Sequence, residues 1–143
     1  MSLRGSVARI LIIDDEEMVR CSLELILQTK GWQTELADGG VQGLAQARRS
    51  PPDLILCDLN MRQMNGLEVL SELRRDPLLK SVPVFIITGN EGQVIEEKAL
   101  EQGAQAVILK PFDNAELFRL VEIHLNRRET SGNPELPDSR AGD

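Results

Sequence analysis

Asp53-Leu54-Ile55-Leu56-Cys57-Asp58 is the stretch on which the fold turns. Its apolar residues follow one another without the polar alternation of a half-exposed strand, so the run reads as a strand covered on both faces. Pro51-Pro52 interrupts the chain before it, and a carboxylate, Asp58, closes it. Toward the N-terminus lies a second run of the same kind, Ala8-Arg9-Ile10-Leu11-Ile12-Ile13, which stops abruptly at Asp14-Asp15. Between the two, Val19, Leu23, Ile26 and Leu27 recur at helical spacing from Glu16 to about Lys30, and Gly31 ends that segment. Thr34 to Ala37 is a weaker strand closed by Asp38-Gly39-Gly40, which reads as a turn, and Val41 to Arg49 is a short helix. On the other side of Asp58 the pattern repeats. Leu67 to Arg75 is helical, Val82 to Ile87 is an apolar strand ending at Thr88-Gly89, and Glu91 to Gln102 is a polar helix. Ala106 to Leu109 is a strand stopping at Lys110-Pro111, and Asn114 to about Arg127 is an amphipathic helix with Asn114 as its N-cap.

Five strands alternating with five helices predict an α/β fold, a doubly wound parallel sheet with helices on both faces. Right-handed crossovers leave few topologies, and the expected strand order is 2-1-3-4-5, a flavodoxin-like (βα)5 arrangement. The 143 residues suit one domain, expected over 8–127, with a short extension at 1–7 and a polar, Gly- and Pro-containing tail or linker at 128–143.

Composition narrows the function classes. The formal net charge of −7 argues against nucleic-acid binding by this segment, and three Phe, one Trp and no Tyr leave little for base stacking. Two cysteines, Cys21 and Cys57, are too few for a disulfide framework; both are expected on buried faces, in a reducing compartment. No apolar run reaches the ~20 residues of a membrane span, so no membrane contact and a cytoplasmic location are expected.

In an open α/β sheet, functional groups collect beyond the carboxyl ends of the strands. Those ends carry Asp14 and Asp15, Asp58, Thr88 and Lys110. The first and third strands are neighbours in the expected order, so the three aspartates converge. Unpaired, they repel one another; a hard divalent cation relieves this, and an oxygen-only donor set favours Mg2+ over zinc. Too few protein oxygens are on offer to fill a Ca2+ shell. A lysine facing the same point is a charge for an anion, most naturally a phosphoryl group, to which a threonine hydroxyl can also donate.

This ordered set resembles the receiver domain of two-component response regulators, over roughly residues 8 to 127. It comprises Asp14-Asp15 after the first strand, Asp58 after the third, Thr88 after the fourth and Lys110-Pro111-Phe112 after the fifth. The stretch from Asp58 to Gly66 is similar to that family's loop after its acceptor aspartate. The resemblance implies a phosphorylation-dependent switch in which Asp58 accepts a phosphoryl group from the phosphohistidine of a sensor histidine kinase or phosphotransfer protein. It further implies that Asp15, Asp58 and the backbone carbonyl of Asn60 bind Mg2+, with Asp14 acting through water. Lys110 would pair with Asp58 and then with phosphoryl oxygens, and Thr88 would hydrogen-bond the phosphoryl group. Such a protein is no conventional enzyme: its chemistry is phosphoryl transfer to itself and autodephosphorylation, with Asn60 and Asn90 flanking the attacking water. An output domain or effector protein is the implied partner, and homodimer formation through the fourth helix, fifth strand and fifth helix is carried over as a family habit.

Two positions depart from the pattern. Val107 stands where many receivers carry an aromatic that swings as the threonine moves, so that rotamer switch cannot operate in its usual form. Arg62 replaces a proline frequent in the loop after the acceptor, implying a less rigid loop or an extra contact. A haloacid-dehalogenase-like phosphatase would need an aspartate where Asn60 stands. A flavodoxin-like cofactor binder would need a Ser/Thr/Gly-rich loop where Asp14-Asp15-Glu16-Glu17 would repel phosphate. A receiver fold used as a docking adaptor without phosphorylation is the remaining alternative. His124 and Trp32 read as packing or surface residues, and Arg48-Arg49 and Arg74-Arg75 as solvated helix ends complementing the dipole.

Overall fold

The computed structural model describes residues 7–89 and 93–131. Strands β1 (Arg9–Ile13), β2 (Gln33–Ala37), β3 (Leu54–Asp58), β4 (Val84–Thr88) and β5 (Ala106–Leu109) alternate with helices α1 (Glu17–Gln28), α2 (Gly40–Arg49), α3 (Gly66–Arg75), α4 (Gln93–Glu101) and α5 (Asn114–Ser131). The strands form one parallel sheet in the expected order, β2-β1-β3-β4-β5.

The absence of alternation in β1, β3 and β4 has a direct structural cause, because successive side chains enter two different cores. Leu11, Ile13, Ile55, Cys57, Val84 and Ile86 pack with Leu44 and Ala47 of α2, Val69, Leu70 and Leu73 of α3 and Ala99 of α4. Ile10, Ile12, Leu54, Leu56, Phe85 and Ile87 pack on the other face with Leu23 and Leu27 of α1 and Leu117 and Val121 of α5. Each strand therefore has no polar face to spare.

Several expectations need correction. Cys57 is buried, but Cys21 is exposed: it lies two residues from both Val19 and Leu23, and so on the side of α1 away from the sheet. The cap of α5 is Asp113 rather than Asn114, since the Asp113 carboxylate accepts the Ala115 N–H at 3.1 Å and its carbonyl accepts from Leu117. The backbone of α5 continues to Ser131, past the point at which the apolar stripe fades. Arg74 is no solvated helix end. Its half-buried guanidinium donates to the carbonyls of Gly103, Lys80 and Val82 and to the Gln105 side chain, tying α3 to the segments flanking β4 and β5. The exposed Arg48 pairs with Asp76 at 3.0 Å. Trp32 and His124 pack edge-on against Phe118 and Phe85, and His124 Nδ1 lies 2.9 Å from the Leu120 carbonyl.

Candidate functional site

Register brings the strand ends level. Ile13 lies opposite both Ala37 and Cys57, so the next residues, Asp14 and Asp58, stand side by side at one edge of the sheet. Hydrogen bonding of the sheet type continues beyond the strands and fixes the residues just past their ends. Asp14 N–H donates to the Ala37 carbonyl at 3.1 Å, Leu59 N–H to Ile87 at 2.8 Å and Lys110 N–H to Thr88 at 2.8 Å. The site is thus mounted on backbone held by the sheet, with Asp14, Asp58 and Thr88 at the ends of its three most buried strands.

The carboxylates of Asp14, Asp15 and Asp58 each offer an oxygen, and these atoms all lie within 4.8 Å of one another. Lys110 Nζ donates to Asp58 Oδ1 at 3.0 Å. Asp14, Asp58 and Thr88 are buried, at 2%, 7% and 2% exposure, among a core otherwise apolar. Thr88 Oγ1 is shielded from solvent and has no hydrogen-bond partner among the described residues. A buried hydroxyl without a partner is uncommon, and here it stands at the end of the strand next to Asp58.

The loop from Asp58 to α3 is shaped by close approach. Gly66 N–H donates to the Leu59 carbonyl at 2.9 Å, and a Cβ on Gly66 would lie 2.6 Å from the Asp58 carbonyl oxygen and 2.9 Å from Leu59 Cα. Asn65 and Glu68 close a reciprocal capping box at the start of α3, each bond 2.9 Å. Gln63, at φ +71°, turns the loop back toward the sheet.

Burial first, and charge crowding after it, bear on the ionisation of Asp14 and Asp58. Burial, helped by the nearby Asp58 charge, pushes the Asp14 carboxyl up to about 6, although the Glu16 N–H bonded to its Oδ1 at 2.9 Å works the other way. Burial likewise raises Asp58, against the hydrogen bond and charge of Lys110 and a backbone hydrogen bond from Asn60. Desolvation alone would lower Lys110, but its bond to Asp58 and the surrounding carboxylates outweigh this and raise it. A cluster in which Asp14 and Asp58 resist ionisation and Lys110 holds its proton is matched to a cation and to an oxyanion.

Residues 10–122 match the response regulator receiver domain family. The chain belongs to that family. This receiver domain is 37% identical over 134 residues to the response regulator PleD of Caulobacter vibrioides, covering 87% of the chain and 30% of PleD. It is 36% identical over 121 residues to the DNA-binding response regulator MtrA of Mycobacterium tuberculosis, covering 85% of the chain and 52% of MtrA. The chain therefore spans a third to a half of the length of these relatives. Among solved structures, the CheY-like receiver domain protein of Methanospirillum hungatei superposes with a TM-score of 0.82 at 28% identity, covering 88% of this chain and 99% of that one. The chemotaxis protein CheY4 of Vibrio cholerae gives 0.77 at 27%, covering 82% and 98%.

All the candidate residues that the receiver domain's sequence pointed to, apart from Asn90, which lies outside the described residues, fall at this one edge of the sheet, with the exposed Asn60 at its rim. Val107 is half-buried and packs against the core on the α2–α4 face. Two arginines also reach the site, Arg20 with no forewarning in the sequence and Arg62 through the extra contact that is one of its two readings. Arg20, from the first turn of α1, donates to the Asp14 carbonyl at 2.8 Å. Arg62, a departure from the family pattern, reaches Asp15: its backbone N–H donates to Asp15 Oδ2 at 3.0 Å, and its Nε lies 3.6 Å from the same oxygen. No helix among the described residues is long and apolar enough to cross a membrane.

Proposed function

We propose that residues 8–127 form a phosphorylation-dependent switch that takes a phosphoryl group onto Asp58 from the phosphohistidine of a sensor histidine kinase or phosphotransfer protein. The observation that carries this reading is the gathering around Asp58 of the Lys110 ammonium and two further carboxylates, with a buried Thr88 hydroxyl, without a partner among the described residues, at the end of the neighbouring strand. An Asp58 carboxylate oxygen forms the bond to phosphorus as the phosphorus–nitrogen bond to the donor imidazole breaks, its electron pair leaving on that nitrogen.

The donor set of three carboxylates suits Mg2+, which accepts hard oxygen ligands and keeps several waters. Asp15, Asp58 and the Asn60 carbonyl would hold it, with Asp14 acting through water; when bound it supplies charge neutralisation for the incoming phosphoryl oxygens. Lys110 stabilises the same oxygens from the opposite side and already orients Asp58. Thr88 donates its hydroxyl to a phosphoryl oxygen and moves toward the site. The extra charge of roughly −1.5 to −2 is what redirects these donors. Asn60 and Asn90 would border the path of the hydrolytic water. On this reading the protein acts in the cytoplasm on an output domain or effector protein, can pair with a second copy through α4, β5 and α5, and makes no direct contact with nucleic acid through this segment.

The test is mobility on a phosphate-affinity gel after incubation with acetyl phosphate and MgCl2. The wild type is expected to shift, EDTA to prevent the shift, and Asp58→Ala to abolish it. An unshifted wild type, or an equal shift in Asp58→Ala, would replace the switch with a docking adaptor that works without phosphorylation.

A further inference from the structure

Among the described residues, Arg62 is the cation that touches the acidic cluster from the solvent side. Lys110 approaches Asp58 from β5, behind the carboxylates, whereas Arg62 lies on the loop after β3 and engages Asp15. The contact is twofold, as the backbone N–H fixes the Asp15 Oδ2 atom while the guanidinium lies over the same oxygen. The Asp15 side chain is 17% exposed and that of Arg62 87% exposed, so the arginine rests on the mouth of the site without being built into it.

An incoming Mg2+ needs Asp15 oxygens and carries the same sign of charge as the guanidinium. Either the guanidinium leaves Asp15 or it stays as a positive charge beside the metal, and both alternatives weaken binding. Room for it to withdraw exists, because Asp15, Arg62 and Gln63 line an open cleft together with Asp38 and Gln42, and Asp38 is a second carboxylate in that lining. We infer that Arg62 is a positioning residue that substitutes for the divalent cation at Asp15 and thereby sets a lower Mg2+ affinity for the site. The inference rests on the reading of Asp14, Asp15 and Asp58 as the cation site.

Isothermal titration of the whole chain with MgCl2 at low ionic strength tests it. Arg62→Gln keeps the backbone N–H and a polar side chain but removes the charge, and is expected to tighten Mg2+ binding about two- to fivefold, the range an exposed ion pair supports. Arg62→Lys keeps a charge on a comparable stem and is expected to stay close to wild type, while Arg62→Glu should tighten binding beyond Arg62→Gln. Far-UV circular dichroism confirms that each variant is folded. Asp15→Asn, run in parallel, is expected to lose most of the binding. If Asp15→Asn binds MgCl2 as tightly as wild type, the cation-site reading falls. If Asp15→Asn loses binding but Arg62→Gln keeps the wild-type affinity, or if Arg62→Lys behaves like Arg62→Gln, the site stands and the role of Arg62 is overturned.

Discussion

Asp14 concentrates the conflict between folding and chemistry in a single carboxyl. It is 2% exposed and faces Asp58, and burial lifts it from 3.8 to about 6. Between those values the folded chain holds a proton that the unfolded chain has released. The penalty is therefore absent below pH 3.8, accumulates as pH rises to about 6, and is complete above it. Asp14→Asn removes the charge and keeps a side-chain oxygen for the Glu16 N–H. In EDTA at pH 7 this variant is expected to exceed wild type by on the order of 1–2 kcal/mol in urea denaturation, the difference vanishing toward pH 4. A variant less stable than wild type at pH 7 would show that Asp14 is not strained. At this scale the sequence was informative where a polar residue ended an apolar run, as Asp14, Asp58, Thr88 and Lys110 do. It was silent for Arg20, left Arg62 open between a looser loop and the extra contact it makes with Asp15, and misplaced Arg74 in solvent, because an arginine's partners depend on where a long side chain reaches in the folded protein. Cys21 misled because a lone small apolar residue carries no facing information apart from the stripe beside it.

At the scale of elements, the loop joining β3 to α3 decides where Asp58 stands. Gly66 is tolerated there because its Cα sits against the Asp58 carbonyl and Leu59 Cα, where no side-chain atom fits. Gly66→Ala must push β3 and α3 apart at Asp58 itself, with an expected loss of about 1–3 kcal/mol in urea denaturation and weaker Mg2+ binding. Gly39→Ser is the control. That residue has extended backbone at φ 177° and open space around its Cβ, and it precedes α2 as its cap, so serine is expected to be neutral or stabilising. Equal losses in the two variants would mean that Gly66 is not set by close approach. The strands were legible because runs covered on both faces have a composition of their own, and β5 was read to the residue. Helix ends were harder. The α5 cap moved by one residue because Asp113 and Asn114 are both good caps, and only backbone geometry chooses between them. The extension of α5 to Ser131 left no periodic trace, since the apolar spacing in the sequence ends at Leu125.

For the molecule as a whole, the strand order followed from connection rules once the alternation of elements was read, and the strand order is what brings three of the chain's 23 acidic residues together. The surface that carries the signal onward left no such mark. On the reading proposed above that surface is the α4–β5–α5 face, where Val107, half-buried against the α2–α4 core, has no aromatic ring to move. Clustering like charges at one end of a chain of net charge −7 opposes folding, and the two apolar cores behind the sheet offset it. A ligand that binds only the folded state should then return part of the lost stability. At a free Mg2+ concentration ten times its Kd the gain is about 1.4 kcal/mol, which for a domain of this size raises Tm by about 5 °C. Differential scanning fluorimetry with MgCl2 against NaCl of equal ionic strength separates this from general screening, because screening acts on every surface charge and the site-specific effect requires Asp15. Wild type should show the Mg2+-specific rise and Asp15→Asn should not. An equal rise in both would place the cation elsewhere on this acidic surface, and the convergence of Asp14, Asp15 and Asp58 would then be a cost of the topology with no metal to relieve it.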